Sequence, residues 1–131
     1  MTLARCGCGA LTLTVPEAPL MVVACHCRDC QRRTGAPFGV GAFYRAEAVA
    51  ISGERREFVR PAESGAMVHN SFCPACGTTL CWTADALPGV IGVALDDSAG
   101  LRPMRSVFER AKRWWVEIDG AVEHFPQGSA G

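Results

Sequence analysis

The sequence lacks a surplus of either charge: thirteen Lys and Arg stand against thirteen Asp and Glu, for a formal net charge of zero and an isoelectric point near 6.8. With no basic excess there is no global field to hold nucleic acid or an anionic membrane surface, so small, roughly neutral ligands are expected. Long apolar runs are missing too. PLMVVAC at 19–25 is far too short to span a bilayer, and the opening MTLARCGCGA has no apolar stretch of the signal-peptide kind. The expectation is a cytoplasmic protein with no membrane partner. Internal repeats, low-complexity segments, Gly-rich phosphate loops, nucleophile elbows and dinucleotide fingerprints are also absent, so no familiar motif argues for nucleotide or serine-hydrolase chemistry.

What remains is a chain of 131 residues, 49% hydrophobic and 20% charged, which suits one globular domain over 1–131, with 126–131 (PQGSAG) expected as a frayed tail. Gly and Pro punctuate it throughout. Between them lie short Val-, Phe-, Thr- and Ala-rich runs that read as strands at 11–15, 20–25, 38–43, 57–60, 67–72, 79–83, 90–94 and 115–118. One short polar helix fits Arg28 to Arg33, stopped at Thr34-Gly35, and a helical turn is expected near Ala46. The pattern predicts an all-β or mostly β domain with one short helix. Such a domain has many non-local contacts, and metal clips between distant strands would stabilise it.

The residues with chemistry are the eight cysteines at 6, 8, 25, 27, 30, 73, 76 and 81. In a reducing compartment, that number points to metal ligation or thiol chemistry before disulfides. CGC at 6–8 and CPAC at 73–76 each read as a knuckle, a tight turn that aims two sulfurs at one point. Together Cys6, Cys8, Cys73 and Cys76 make a closed four-thiolate Zn²⁺ site, whose binding free energy of roughly 10–16 kcal/mol in small zinc domains is effectively folding energy. A redox dithiol in CPAC is the competing reading. Against it, a redox CxxC opens a helix in a βαβ setting, whereas Cys76 runs through Gly77-Thr78 into another strand pattern.

The second group is CHCRDC, with Cys25, Cys27 and Cys30 where a strand hands over to the helix. It closes into a second four-sulfur site if Cys81 joins, and stays open if it does not. Cys81, in TTLCW, reads as a small buried hydrophobe; His26, between two ligands in an extended segment, should point away from them. Three thiolates around Zn²⁺ carry a net negative charge, which makes the metal a weaker Lewis acid and a poorer generator of hydroxide than one held by three imidazoles. Such a centre suits a soft fourth ligand, and a substrate thiol is the obvious candidate. Arg28 and Arg32 follow at i,i+4 spacing, on one helix face, where they can pair with carboxylates of an acidic thiol or simply face solvent.

Among the other residues, Phe38, Phe43, Trp82, Trp114 and Trp115 are expected as core or pocket walls, with only one of Trp114 and Trp115 turned inward by strand alternation. Asp96 and Asp97 are expected to cap a turn. His69 and His124 stand in no metal spacing, though either could supply a fourth ligand to the second group.

CGCGA at 6–10, CHCRDCQRRTGAPF at 25–38, FCPACGTTLCW at 72–82, ALDD at 94–97 and WWVEIDG at 114–120 together resemble the glutathione-dependent formaldehyde-activating enzyme family, which includes the centromere-protein-V-like domains. The resemblance implies a zinc-stapled β-tent built from several small antiparallel sheets. It implies a structural zinc on Cys6, Cys8, Cys73 and Cys76 and a catalytic zinc on Cys25, Cys27 and Cys30. The implied reaction is the reversible addition of glutathione, a small thiol substrate, to formaldehyde to give S-hydroxymethylglutathione, a carbon–sulfur lyase activity. Ser106 stands where that family often has His, Arg113 where Pro often precedes the tryptophan, and HNS at 69–71 replaces an arginine-containing approach to the second knuckle. The alternative function is a non-catalytic, zinc-stapled interaction module; an iron–sulfur protein is a third reading, and it too needs a fourth ligand.

Overall fold

A computed structural model describes residues 1–94, 101–120 and 122–128. Its elements run β1 (Thr2–Arg5), β2 (Thr12–Val15), β3 (Met21–Cys25), α1 (Arg28–Thr34), β4 (Gly39–Arg45), β5 (Ala50–Ser52), β6 (Arg56–Pro61), β7 (Met67–Phe72), β8 (Thr79–Ala84), β9 (Val90–Val93), β10 (Arg105–Val107) and β11 (Glu123–His124). Short 3₁₀ turns lie at Ala46–Ala48 and Glu109–Ala111. With 41% of the described residues in strands and 11% helical, the protein is mostly β, as the punctuated sequence predicts. Its chain forms two compact units, the first from Met1–Leu20 and Ala42–Ala99, the second from Met21–Gly41 and Gly100–Gly131.

In the first unit, β1, β2 and β5 form a three-stranded antiparallel sheet. TLTV in β2 alternates half-buried and buried positions, so Leu13 and Val15 turn into the core with Leu11 and Ala4. The turn after β5 needs Gly53: its φ is +107°, and a Cβ there would collide with the carbonyl oxygen of Ala10. The Ala42–Arg45 half of β4 continues in the order β4-β9-β8-β7-β6, each neighbour antiparallel. Tyr44, Leu80, Cys81, Ile91 and Val93 supply the buried face.

In the second unit, β10 lies between β3 and β11 and is parallel to both, which corrects the expectation of uniformly antiparallel sheets. Antiparallel pairing is favoured by short hairpins, and no hairpin joins β3 to β10, since their paired residues are 82 positions apart, as in Arg105 and Val23. Helix α1 begins at Cys27, whose Sγ accepts the main-chain N–H of Cys30 at 3.3 Å. It ends at Gly35, left-handed at φ 66°, whose N–H returns to the Gln31 carbonyl at 2.9 Å. Phe108 is left-handed without being glycine, at φ 56°, a conformation that costs about 1–2 kcal/mol. It swings the chain from β10 into the turn that carries Glu109 and is held by its N–H bond to the Gln127 carbonyl, 3.0 Å away.

The segment 115–118 is not a strand. Val116 N–H bonds back to the Arg113 carbonyl in a turn, so strand alternation does not apply. Both tryptophans expected to wall a core or pocket are outside instead, Trp114 90% and Trp115 59% exposed, and Val116 at 7% is the residue turned inward. Asp96 and Asp97 lie outside the described residues. No helix among the described residues is long and apolar enough to cross a membrane.

Candidate metal centres

The first unit gathers Cys6, Cys8, Cys73 and Cys76 so that their sulfurs all lie within 4.8 Å of one another. Two edges of this cluster, Cys6 to Cys8 and Cys8 to Cys73, measure 3.7 Å. A tetrahedron of sulfurs about 2.3 Å from a central zinc has edges of about 3.8 Å, so the donor set fits a metal ion. Each knuckle is a turn closed by its own backbone: Gly9 N–H bonds the Cys6 carbonyl at 3.1 Å, and Gly77 N–H the Cys73 carbonyl at 2.8 Å. Thr78 joins the two, accepting the Gly7 N–H at 3.1 Å and lying 3.2 Å from Cys76 Sγ. Sequence reasoning passed over Thr78, although its place directly after CPACG was the available signal.

These knuckles also supply donors that favour thiolate. The Leu11 N–H, 3.3 Å from Cys6 Sγ, lowers the Cys6 thiol below its ordinary value, and the Thr78 hydroxyl holds Cys76 down at about 5. Cys8 goes the other way. The Ala10 N–H favours its thiolate, but the neighbouring Cys6 and Cys73 prevail and push it up to about 11. Sulfurs this close repel one another's charge, and a divalent cation is the species that removes the conflict.

In the second unit, Cys25, Cys27 and Cys30 bring three sulfurs within 4.8 Å of one another, all of them half-buried. The end of β3 carries the first, the cap of α1 the second, and its first turn the third. Crowding by Cys27 and Cys30, with burial added, pushes the Cys25 thiol far above its ordinary value. These residues too can hold a metal ion. Cys81 belongs to neither group among the described residues; it is buried on β8, where desolvation raises its thiol and Ser71 partly offsets that.

His26 lies between two of these sulfurs and is buried facing the other way, its Nε2 2.9 Å from Ser106 Oγ. Ser106 donates to Glu109 Oε2 at 2.6 Å, and His124 Nδ1 donates to the same oxygen at 2.7 Å. Nothing in the sequence spacing points to this chain of side chains, whose members come from four separate segments. Of the arginines on α1, Arg28 and Arg32 are exposed, and Arg32 lies 3.5 Å from Asp29. Arg33 lies closer to the sulfurs, its charge acting on Cys30. His69, on β7, is not near a sulfur cluster; its two ring nitrogens bond Glu57 at 3.1 Å and Asp85 at 3.0 Å.

The model of the glutathione-dependent formaldehyde-activating enzyme family matches residues 1–111, a stretch that includes both cysteine groups and stops before WWVEIDG. No curated protein matches the chain. Among solved structures, a crystal structure of a Rhodobacter sphaeroides protein superposes with a TM-score of 0.58 at 21% identity, covering 78% of this chain and 92% of that one. At that identity the likeness is one of fold.

Proposed function

Because the chain belongs to the glutathione-dependent formaldehyde-activating enzyme family, we propose that it is a zinc-dependent enzyme of the carbon–sulfur lyase type. Its substrate would be a thiol adduct, such as that of glutathione with formaldehyde, S-hydroxymethylglutathione. The observation that carries this reading is the trio Cys25, Cys27 and Cys30, three converging sulfurs with no fourth Cys, His, Asp or Glu in their group among the described residues. Held there, zinc would supply an open position for a soft ligand, keeping a thiol substrate ionised and nucleophilic at neutral pH. The net reaction joins thiol and aldehyde: a sulfur–carbon bond forms, the carbonyl π pair moves to oxygen, and the thiol proton ends there, with no oxidant or reductant required.

In this reading the chain's own residues divide the work. Cys6, Cys8, Cys73 and Cys76 hold a structural zinc that ties the N-terminal strands to the β7–β8 turn. Cys27 caps α1 while serving the trio, and so couples the helix start to the site. Arg28 and Arg32, exposed and close to the trio in sequence, would meet the carboxylates of an acidic thiol such as glutathione, Arg32 by leaving Asp29. All eight cysteines are free, which supports a reducing, cytoplasmic setting. The family match, over residues 1–111, draws on residues of both compact units and so supports reading that stretch as one functional domain.

The exposed Trp114 and Trp115 favour a second reading, a zinc-stapled interaction module without catalysis. The deciding measurement follows thiol–formaldehyde exchange by NMR, with zinc counted by native mass spectrometry. An enzyme shows two zinc ions per chain and exchange above the spontaneous rate that Cys27→Ser abolishes. Exchange at the spontaneous rate across a range of thiols, with both metals bound, leaves the interaction module as the function.

A further inference from the structure

We infer that Glu109, Ser106 and His26 form a positioning network that sets the geometry of the Cys25, Cys27 and Cys30 ligand group, an inference that rests on those cysteines being metal ligands. The argument starts from donors and acceptors. Ser106 has one hydroxyl proton, and it goes to Glu109 Oε2, 2.6 Å away. Towards His26 Nε2, at 2.9 Å, Oγ therefore accepts, so His26 carries its proton on Nε2. That leaves Nδ1 a buried nitrogen with no hydrogen-bond partner among the described residues. Among the described residues the ring's polar anchoring therefore depends on Ser106, and the ring packs against Phe38, whose ring centre is 5.3 Å away.

The backbone of His26 is held just as closely. Its N–H bonds the Val107 carbonyl at 3.0 Å, and its own carbonyl accepts from Gln31 Nε2 at 2.8 Å. The Gln31 side chain also reaches the carbonyl of Ala111, at 3.3 Å, in the same turn that carries Glu109. Extended chain turns successive side chains to opposite sides. Locking His26 towards Ser106 therefore locks Cys25 and Cys27 to the other side, where Cys30 meets them. Ser106 sits on β10 directly opposite Ala24, one position before Cys25, so the anchor adjoins the first ligand. Glu109 keeps the Ser106 hydroxyl aimed. Burial pushes its carboxyl up, and the bonds from His124 and Ser106 outweigh that, leaving it ionised and accepting at neutral pH.

The test is cobalt(II) titration of the full chain against a competing chelator, read by ligand-field absorption, for wild type, Ser106→Ala, Ser106→Thr and Glu109→Gln. The inference expects wild type to take two cobalt ions. In Ser106→Ala the cobalt on Cys25, Cys27 and Cys30 is held about 10–100-fold more weakly, with a shifted ligand-field band, while the four-cysteine site is unchanged. Ser106→Thr keeps the hydroxyl and restores the wild-type spectrum, which a purely packing role for residue 106 does not foresee. If Ser106→Ala fails to fold, Glu109→Gln carries the same expectation with a smaller loss. Two cobalt ions in wild type with unaltered affinity and spectrum in Ser106→Ala or Glu109→Gln overturns the inference and leaves the ligand assignment standing. A single cobalt in wild type overturns both.

Discussion

The two cysteine groups should differ sharply in what they contribute to stability, because they close loops of very different length. A clip between Cys8 and Cys73 joins positions 65 apart, whereas Cys25 and Cys30 are only five apart. Chain-entropy arguments for a cross-link assign about 14 cal/mol/K to the first loop, or about 4 kcal/mol at 25 °C, and about 2 kcal/mol to the second. A domain of 131 residues unfolds with an entropy near 275 cal/mol/K at its midpoint, taking about 2.1 cal/mol/K per residue. Loss of the long clip is therefore expected to lower the melting temperature by about 15 °C, and loss of the short one by about 7 °C. The variants are Cys73→Ser and Cys27→Ser, melted side by side by circular dichroism with zinc content measured on the same samples. Cys73 is buried, so a serine hydroxyl there adds a cost in the same direction and widens the gap. Equal melting temperatures, or a lower one for Cys27→Ser, would refute the assignment of the four-cysteine group as the long-range staple.

Further outcomes follow from other parts of the molecule. Hydrogen bonds to Glu57 and Asp85 hold His69 above its ordinary 6.5, so this clamp stabilises fully below that value and is lost as pH rises through the raised one. The melting advantage of wild type over His69→Gln should thus be larger at pH 6 than at pH 9; an advantage independent of pH, or an NMR titration of His69 at or below 6.5, counts against it. In Gly92→Ala the new Cβ would press on the Trp82 indole Nε1, lying 2.6 Å from its Cε2 and 2.9 Å from Phe43 Cε1. The expected destabilisation is about 1–3 kcal/mol by urea titration, and an unchanged midpoint would mean that the Trp82–Phe43 pair repacks freely.

Much of the site is written locally and could be read without coordinates. CGC, CPAC and CHCRDC each place their sulfurs through turns of a few residues, so spacing alone grouped six of the seven converging cysteines into knuckles and CxC pairs, with Cys30 following one helical turn on. The same holds for α1, whose stop at Gly35 needs only a left-handed glycine, and for β7 and β8, six-residue runs that flank the CPACG turn, β8 rich in β-branched and aromatic residues. Strands β1, β5, β10 and β11 are not legible because they are short and lack the β-branched and aliphatic runs that mark the equally short β2 (TLTV) and β9 (VIGV), and they exist by virtue of their partners. WWVEIDG misleads for the opposite reason: its composition suits a strand, but none of the described residues offers it a ladder and a turn places both tryptophans outside. Sequence by itself therefore determined the two groups of cysteines that could hold metal ions and the predominance of strands. Tertiary structure decided that β10 runs parallel to β3, that Cys81 stands apart from both groups, and that Ser106 and Glu109 stand behind His26. Those choices depend on which distant segments become neighbours, and no local spacing encodes that.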